Sequence, residues 1–208
     1  MSELDYIKNV FKTHIPKPYE SKPPSAVLVP LMDIDGELNV IFTQRALHMV
    51  FQPGDICFPG GRHENGETPV ETALRETYEE LGVKPENIEV FGQPDYLLTK
   101  YGAYVIPFVG LIRNTKFEDF VINPDEVEKV IAIPLNFFME TEPMKSSMIL
   151  NREFPEDFPY HLIYGGKDYK WGLIKEYHLF YTYEDVNIWG LTAKIIRNTV
   201  EILKDNGF

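Results

Sequence analysis

Residues 61–83 read G-R-H-E-N-G-E-T-P-V-E-T-A-L-R-E-T-Y-E-E-L-G-V, and no other stretch restricts the fold of this chain so tightly. Thr68 is a good N-cap, and Glu71 three residues on completes a capping box. Pro69 takes the first helical position, where its missing N–H costs nothing. Val70, Ala73, Leu74, Thr77 and Leu81 recur at helical spacing and are expected to face a core. Gly82 follows the last of them, where a left-handed C-cap belongs. The pattern predicts a short helix over 69–81, entered from the acidic loop 60–67.

The same stretch gathers Glu67, Glu71, Glu76, Glu79 and Glu80 around Arg75. Glu76, Glu79 and Glu80 stand at i, i+3 and i+4, hence on one helix face. Carboxylates so placed repel one another unless a cation joins them. Three on one face suit a hard divalent ion such as Mg²⁺ or Mn²⁺ holding a phosphate chain. The competing reading is a solvated acidic face. The glycine-rich approach Phe58-Pro59-Gly60-Gly61 favours the site reading.

The stretch resembles the Nudix box, G-x5-E-x7-R-E-U-x-E-E-x-G-U, where U is a bulky aliphatic. Gly61, Glu67, Arg75, Glu76, Glu79, Glu80, Gly82 and Val83 match in register, and Thr77 stands at an aliphatic position. The resemblance implies an α/β fold, a Nudix-type α/β/α sandwich with a mixed sheet and a loop–helix–loop catalytic motif. It also implies hydrolysis of a nucleoside diphosphate linked to some moiety X. The preceding residues, V-I-F-T-Q-R-A-L-H-M-V-F-Q-P-G-D-I-C-F-P-G-G from 40 to 61, resemble a second signature, that of coenzyme A pyrophosphatases. Thr43, Arg45, Ala46, Gly54, Phe58, Pro59, Gly60 and Gly61 fall in register, while Val50 stands where that signature carries its second arginine. A missing guanidinium removes a contact to phosphate or a structural ion pair. Residues 123–127 (N-P-D-E-V) and 188–193 (I-W-G-L-T-A) are similar to the same subfamily.

By this resemblance Glu76 and Glu80 are metal ligands, Glu79 a ligand or the base, and the Gly61 carbonyl an oxygen ligand from the loop. Arg75 pairs with a box carboxylate and holds it in place, and Glu67 orders the loop. Glu126 is the candidate base outside the box, against the plainer reading of a solvent-facing loop acid. Arg45, Phe58 and Gly60 are the substrate-side candidates; Arg45 either meets phosphate or pairs with a surface acid. Metal is needed because the negative oxygens of a pyrophosphate repel a nucleophile, and a bound cation neutralises them and acidifies water.

Length and composition agree with one Nudix hydrolase domain over 1–208. A chain of 208 residues with 44% hydrophobic and 13% aromatic residues can bury a full core. No run approaches the roughly 20 apolar residues of a membrane span. The polar start Met1-Ser2-Glu3-Leu4-Asp5 is unlike a signal peptide, and the single cysteine, Cys57, fits a reducing compartment. A cytoplasmic, membrane-free protein is therefore expected. Cys57 reads as a small buried side chain, not a nucleophile. The net charge of −12 argues against nucleic acid and leaves a small CoA-like nucleotide as the partner, with metal supplying the positive charge. A homodimer is implied by the resemblance alone.

Elsewhere, Leu4, Ile7, Val10 and Phe11 predict a short amphipathic helix over 3–15, followed by a stiff connector at Pro16, Pro18, Pro23 and Pro24. Residues 26–32 and 38–43 read as a hairpin turning at Asp35-Gly36. Further strands are expected at 88–93, 103–112 and 130–133, with a helical turn at 134–139. The aromatic-rich extension 145–185 is expected to hold strands near 160–164 and 170–182, turning at Gly165-Gly166 or Lys167-Asp168, and its role is left open between covering the site and a dimer contact. A final helix over 188–204 places Ile188, Leu191, Ile195, Ile196, Thr199, Ile202 and Leu203 on one side. Trp189 is expected to anchor that helix in the core, and Tyr101, Tyr104 and Phe108 to pack as strand aromatics. His14, His48, His63, His161 and His178 show no metal spacing; His63 lies in the box loop and is placed at most to tune the site's pH response. The leading function is cleavage of CoA or acyl-CoA to 3′,5′-ADP and a phosphopantetheine. The alternatives are the same chemistry on ADP-ribose, an ADP-sugar, a dinucleotide or a dNTP, or a Nudix-fold ligand sensor without turnover.

Overall fold

The computed structural model describes residues 2–15, 23–64, 66–99 and 102–208. Pro16 and Pro18 of the expected connector, and Tyr101, lie outside the described residues. The elements run α1 (Glu3–Thr13), β1 (Ser25–Ile34), β2 (Glu37–Arg45), β3 (Ile56–Cys57), β4 (Gly60–Arg62), α2 (Pro69–Leu81), β5 (Ile88–Gly92), β6 (Leu97–Leu98) and β7 (Tyr104–Ile112). There follow β8 (Val127–Pro134), α3 (Leu135–Glu140), β9 (Met144–Leu150), β10 (Ile174–Tyr183), β11 (Val186–Trp189) and α4 (Gly190–Asp205).

Strand β1 organises the main sheet. It runs parallel to β7, from Ser25 opposite Val105 to Leu31 opposite Leu111, and antiparallel to β2 through the expected hairpin. Asp35 and Gly36 both take positive φ, 53° and 88°, the reversal whose twist matches the flanking strands. Strand β2 continues the sheet to β8 and β3, and β7 continues it to β5. The result is a mixed sheet.

Alternate residues of β1 and β2 serve opposite faces. Ala26, Leu28, Met32 and Ile41 join Ala73 and Leu81 of α2 in one core cluster. Val29, Leu31, Val40 and Phe42 join Phe138 of α3 and Ile196 and Val200 of α4 in another. Each Val, Leu, Ile, Met or Phe among them contributes about 1.5–3 kcal/mol by leaving water. The sheet is thus enclosed between α2 on one face and α3 with α4 on the other, the α/β/α sandwich that the box implies.

Helix α2 forms as its sequence predicts. The Thr68 hydroxyl accepts from the Glu71 N–H, Glu71 accepts from the Thr68 N–H at 2.7 Å, and Gly82 caps the other end at φ 70°. Helix α1 forms too, but none of its residues is buried, so its apolar stripe is exposed.

The extension differs from expectation. Its strands are β9, β10 and β11, paired antiparallel in the order β11-β10-β9. Residues 160–164 form no strand. Tyr160–Leu162 is a 3₁₀ turn, because Tyr160 packs with Phe154, Phe158 and, through Phe158, Trp171 instead of spanning a ladder. Gly166–Asp168 is another such turn and does not join two strands. Strand β9 is hidden in the sequence because Lys145, Ser146 and Ser147 have little strand preference and little burial; pairing with β10 holds it. The last helix starts at Gly190, since Ile188 and Trp189 pair with Tyr181 and Phe180 in β11. Leu191 and Ile202 lie on its exposed side, while Thr192, Ala193 and Val200 join the buried one. No helix among the described residues is long and apolar enough to cross a membrane.

The capping box of α2 gives a direct expectation. Thr68→Ala removes it and should cost about 1 kcal/mol, lowering the melting temperature by about 2–4 °C in thermal unfolding followed by circular dichroism, while Thr68→Ser retains the wild-type value.

Candidate active site

Glu80 is the buried acid of α2, with only 8% of its surface exposed. Its Oε1 accepts from the Gly60 N–H at 3.2 Å and its Oε2 from the Thr43 hydroxyl at 3.4 Å. The carboxylate therefore links the helix to β4 and β2. The two glycines of the approach are required by contact. A Cβ on Gly60 would lie 2.4 Å from the Ala26 carbonyl oxygen and 2.6 Å from Val27 Cα, so the loop could not rest on β1. A Cβ on Gly61 would lie 2.2 Å from Glu76 Oε1, in the space that this carboxylate occupies.

Arg75 holds the remaining acids. Its Nε meets Glu67 Oε1 at 2.6 Å, and its Nη1 lies 2.9 Å from both Glu76 Oε1 and Glu79 Oε2. Its Nη2 donates to the Arg62 carbonyl at 3.2 Å. Thr72 donates to Glu67 Oε2 at 2.8 Å, and His63 Nδ1 lies 3.1 Å from the same hydroxyl. The Arg75 guanidinium and the Thr72 hydroxyl pull the Glu67 carboxyl down to about 2. Loop, strand and helix are thereby joined through one side chain.

Glu126 arrives from outside the box. The 121–126 loop is tied to the end of α2 by Val121 N–H to Leu81 O at 3.0 Å and Asn123 N–H to Glu80 O at 3.1 Å. The Ala46 N–H donates to the Glu126 carbonyl at 2.9 Å. These bonds bring Glu126 to a cavity of about 350 Å³ that it lines with Glu76, Glu80, Arg45, Arg62 and Met49. Burial, reinforced by the charges of Glu126 and Glu76, pushes the Glu80 carboxyl up to about 8. Burial also raises Glu76, against the pull of Arg75.

The expected acidic face is divided. Glu76 and Glu80 turn into the cavity, whereas the Glu79 side chain is 47% exposed, is held by Arg75 and does not line it. Among the described residues no three acidic, histidine or cysteine side chains stand together as a closed metal cage. The donor set nonetheless fits a hard dication: it is all oxygen, and its two inner acids are held back from ionising chiefly by burial, with neighbouring carboxylates, Glu126 among them, adding to it.

Arg45 stands at the end of β2 and lines the cavity; its Nε donates to Phe51 O at 3.3 Å, and among the described residues it forms no ion pair. Phe58 is a core residue stacked on Phe42 at 4.8 Å and does not line the acidic cavity. Phe108 packs against the core beside α2, and Tyr104 sits edge-on to Tyr96. Cys57 is half-buried, not fully buried as expected, and lines the cavity; desolvation pushes its thiol up to about 11. Trp189 departs from expectation: it is 39% exposed, its Nε1 donates to Asp55 Oδ1 at 3.3 Å, and it lines a second cavity. It is no core anchor because its strand, β11, closes the outer sheet. Val50 is 88% exposed. Arg62 and Met49 were not legible as cavity residues: Arg62 fills a variable position of the box, and Met49 belongs to a loop without periodicity.

With this geometry in hand, the relatives fall into line. The NUDIX domain family matches residues 22–145. Nudix hydrolase 3 of Caenorhabditis elegans is 42% identical over 113 residues, covering 53% of this chain and 47% of that protein. The mouse peroxisomal coenzyme A diphosphatase NUDT7 is 36% identical over 119 residues, covering 56% and 49% respectively. The uncharacterized Nudix hydrolase NudL of Pectobacterium atrosepticum is 30% identical over 193 residues, 91% of this chain and 87% of that one. The chain thus belongs to the Nudix family. It spans about half the length of the first two of these relatives.

Two expectations follow from the geometry. Gly60→Ala collides with backbone and should lower the melting temperature sharply, whereas Gly61→Ala collides first with the Glu76 carboxylate, a side-chain end that can be displaced from Arg75, and should lower it less; thermal scans with and without Mn²⁺ separate the two. The second concerns pH. Glu80 holds a proton in the fold up to about 8, above the 4.5 of a free carboxyl, so its contribution to stability is complete at acid pH and is lost as pH rises through about 8. In EDTA, wild type should therefore melt progressively lower between pH 5 and 8.5, and Glu80→Gln should flatten that decline.

Proposed function

We propose that this chain is a metal-dependent pyrophosphohydrolase acting on CoA or acyl-CoA, releasing 3′,5′-ADP and (acyl-)phosphopantetheine. The observation that carries the reading is the single cavity in which Glu76, Glu80 and Glu126 meet Arg45 and Arg62. Acids and guanidinium groups side by side are what a metal-bridged diphosphate requires.

Glu76 and Glu80, with the Gly61 carbonyl, would hold Mg²⁺ or Mn²⁺; when bound, the ion supplies charge neutralisation and acidifies water. The chain's own groups do the rest. Arg75 fixes the Glu76 carboxylate through its 2.9 Å contact and keeps Glu79 beside it. Arg45 and Arg62 hold phosphate oxygens in the fork geometry that suits them. Glu126, which forms no ion pair among the described residues and lines the cavity, takes the proton of the attacking water.

The substrate assignment draws support from the residues that resemble the CoA signature and from the relative named as a coenzyme A diphosphatase. Val50 favours a second reading, the same chemistry on ADP-ribose, a dinucleotide or another nucleotide. Its 88% exposure means that its side chain replaces no buried partner.

The test is a panel of CoA, acetyl-CoA, ADP-ribose, NADH, diadenosine polyphosphates and dNTPs with Mg²⁺ or Mn²⁺, with products resolved by chromatography. CoA should release 3′,5′-ADP, and Glu80→Gln should lower kcat by at least about 100-fold. Glu126→Gln should lower kcat by a similar factor with little change in KM. A different preferred nucleotide would replace the CoA assignment, and ligand binding without any Glu80-dependent turnover would make the protein a sensor.

A further inference from the structure

The outer sheet encloses a space that the chemistry above does not use. A second cavity, of about 490 Å³, adjoins the acidic one, and Arg45, Cys57, Gly60 and Gly61 belong to the walls of both. Leu97 and Val105 form one side; Met148 of β9, Trp189 of β11, and Leu191 and Ile195 of α4 form another. Strand β9 buries almost nothing of its own, so closing this cavity is the visible consequence of its pairing with β10.

The lining selects for a kind of ligand. Trp189 is already stacked on Phe180, with centroids 6.1 Å apart and planes 7° from parallel, and its edge is pinned to Asp55. The other rings of the wall, Phe58 and His178, are engaged elsewhere or tilted: Phe58 stacks on Phe42, and His178 lies 41° off the indole plane. Among the described residues that line the cavity, none forms a parallel stack on the indole to complete a slot for a purine. Aliphatic and thioether side chains instead accommodate a flexible chain. The polar part of the lining is balanced in charge, Arg45 and Lys194 against Asp55 and Glu176, and Ser25, Gln52 and Thr99 add uncharged polar side chains. Both ring nitrogens of His178 are buried without a hydrogen-bond partner, with Nε2 3.8 Å from Glu176 Oε1. Helix α4 starts without a side-chain cap, and Gly190 and Thr192 of its first turn line the same space.

We infer that this second cavity receives the uncharged, flexible amide-and-alkyl arm attached to the diphosphate, and that Met148 and Leu191 at its wall decide which arms are accepted. The inference rests on the acidic cavity being the diphosphate site. The arm leaves the phosphates past the shared wall of Gly60 and Gly61 and lies between β6–β7 and the outer sheet. Residues 144–191 are then the specificity element of the reaction.

Dephospho-CoA and the methyl ester of ADP share an ADP half and differ only in the arm. Met148 is 42% exposed, so Met148→Trp fills the cavity without disturbing a buried contact. This variant should lower kcat/KM for dephospho-CoA roughly tenfold or more, a tenfold change corresponding to about 1.4 kcal/mol, and leave the methyl ester within about twofold. Leu191→Glu, which puts a charge against the arm, should do the same. Equal losses on both substrates, or no loss on either, overturn the inference. A separate readout survives failure of the hydrolase reading. In a Trp171→Phe background Trp189 is the sole indole, and pantetheine, which has no phosphate, should quench its emission. If wild type hydrolyses neither nucleotide, the hydrolase reading falls, and quenching by pantetheine alone decides the cavity's role: its presence supports the inference and its absence overturns it.

Discussion

One guanidinium keeps the acidic half of this molecule together. Arg75 meets Glu67, Glu76 and Glu79 at once and also reaches the Arg62 carbonyl, so it binds the entry loop, β4 and α2 in a single network. Without it the carboxylates of the helix face would repel one another at short range. With it they separate into two populations. Glu67 and Glu79 are neutralised on the outer side, while Glu76 and Glu80 remain inside, raised by burial. Glu76 thus touches the cation and the cavity at once, whereas Glu80 has no cation beside it among the described residues.

The backbone makes the same division possible. Gly60 rests directly on β1, and Gly61 leaves room for Glu76. The 121–126 loop is fastened to both the end of α2 and the end of β2, which brings Glu126 across to the helix acids from a distant part of the chain. Three pieces of backbone therefore converge on one cavity, held by main-chain hydrogen bonds and, at Gly60, by the Glu80 carboxylate as well.

Local rules account for most of what the sequence revealed. Thr68, Glu71, Pro69 and Gly82 are short-range signals, and α2 follows them residue by residue. The Asp35-Gly36 reversal and the alternation of β1 and β2 are equally local. The departures are long-range. Strand β9 has no pattern of its own and exists through β10; Tyr160–Leu162 carries strand-like residues but packs into an aromatic cluster; Trp189 is placed by the outer sheet. In the site, the box positions were readable, yet the outward turn of Glu79 and the presence of Arg62 and Met49 in the cavity depend on tertiary placement.

Cys57 illustrates a different consequence of the same burial. Its thiol lies in the wall shared by the two cavities, 3.2 Å from the Thr43 hydroxyl, and is held protonated up to about 11. A protonated thiol is a poor nucleophile toward peroxide or alkylating reagents. The lone cysteine of the chain thus stands at the junction of the two cavities as a slow-reacting thiol, and a bulky group placed on it would obstruct both.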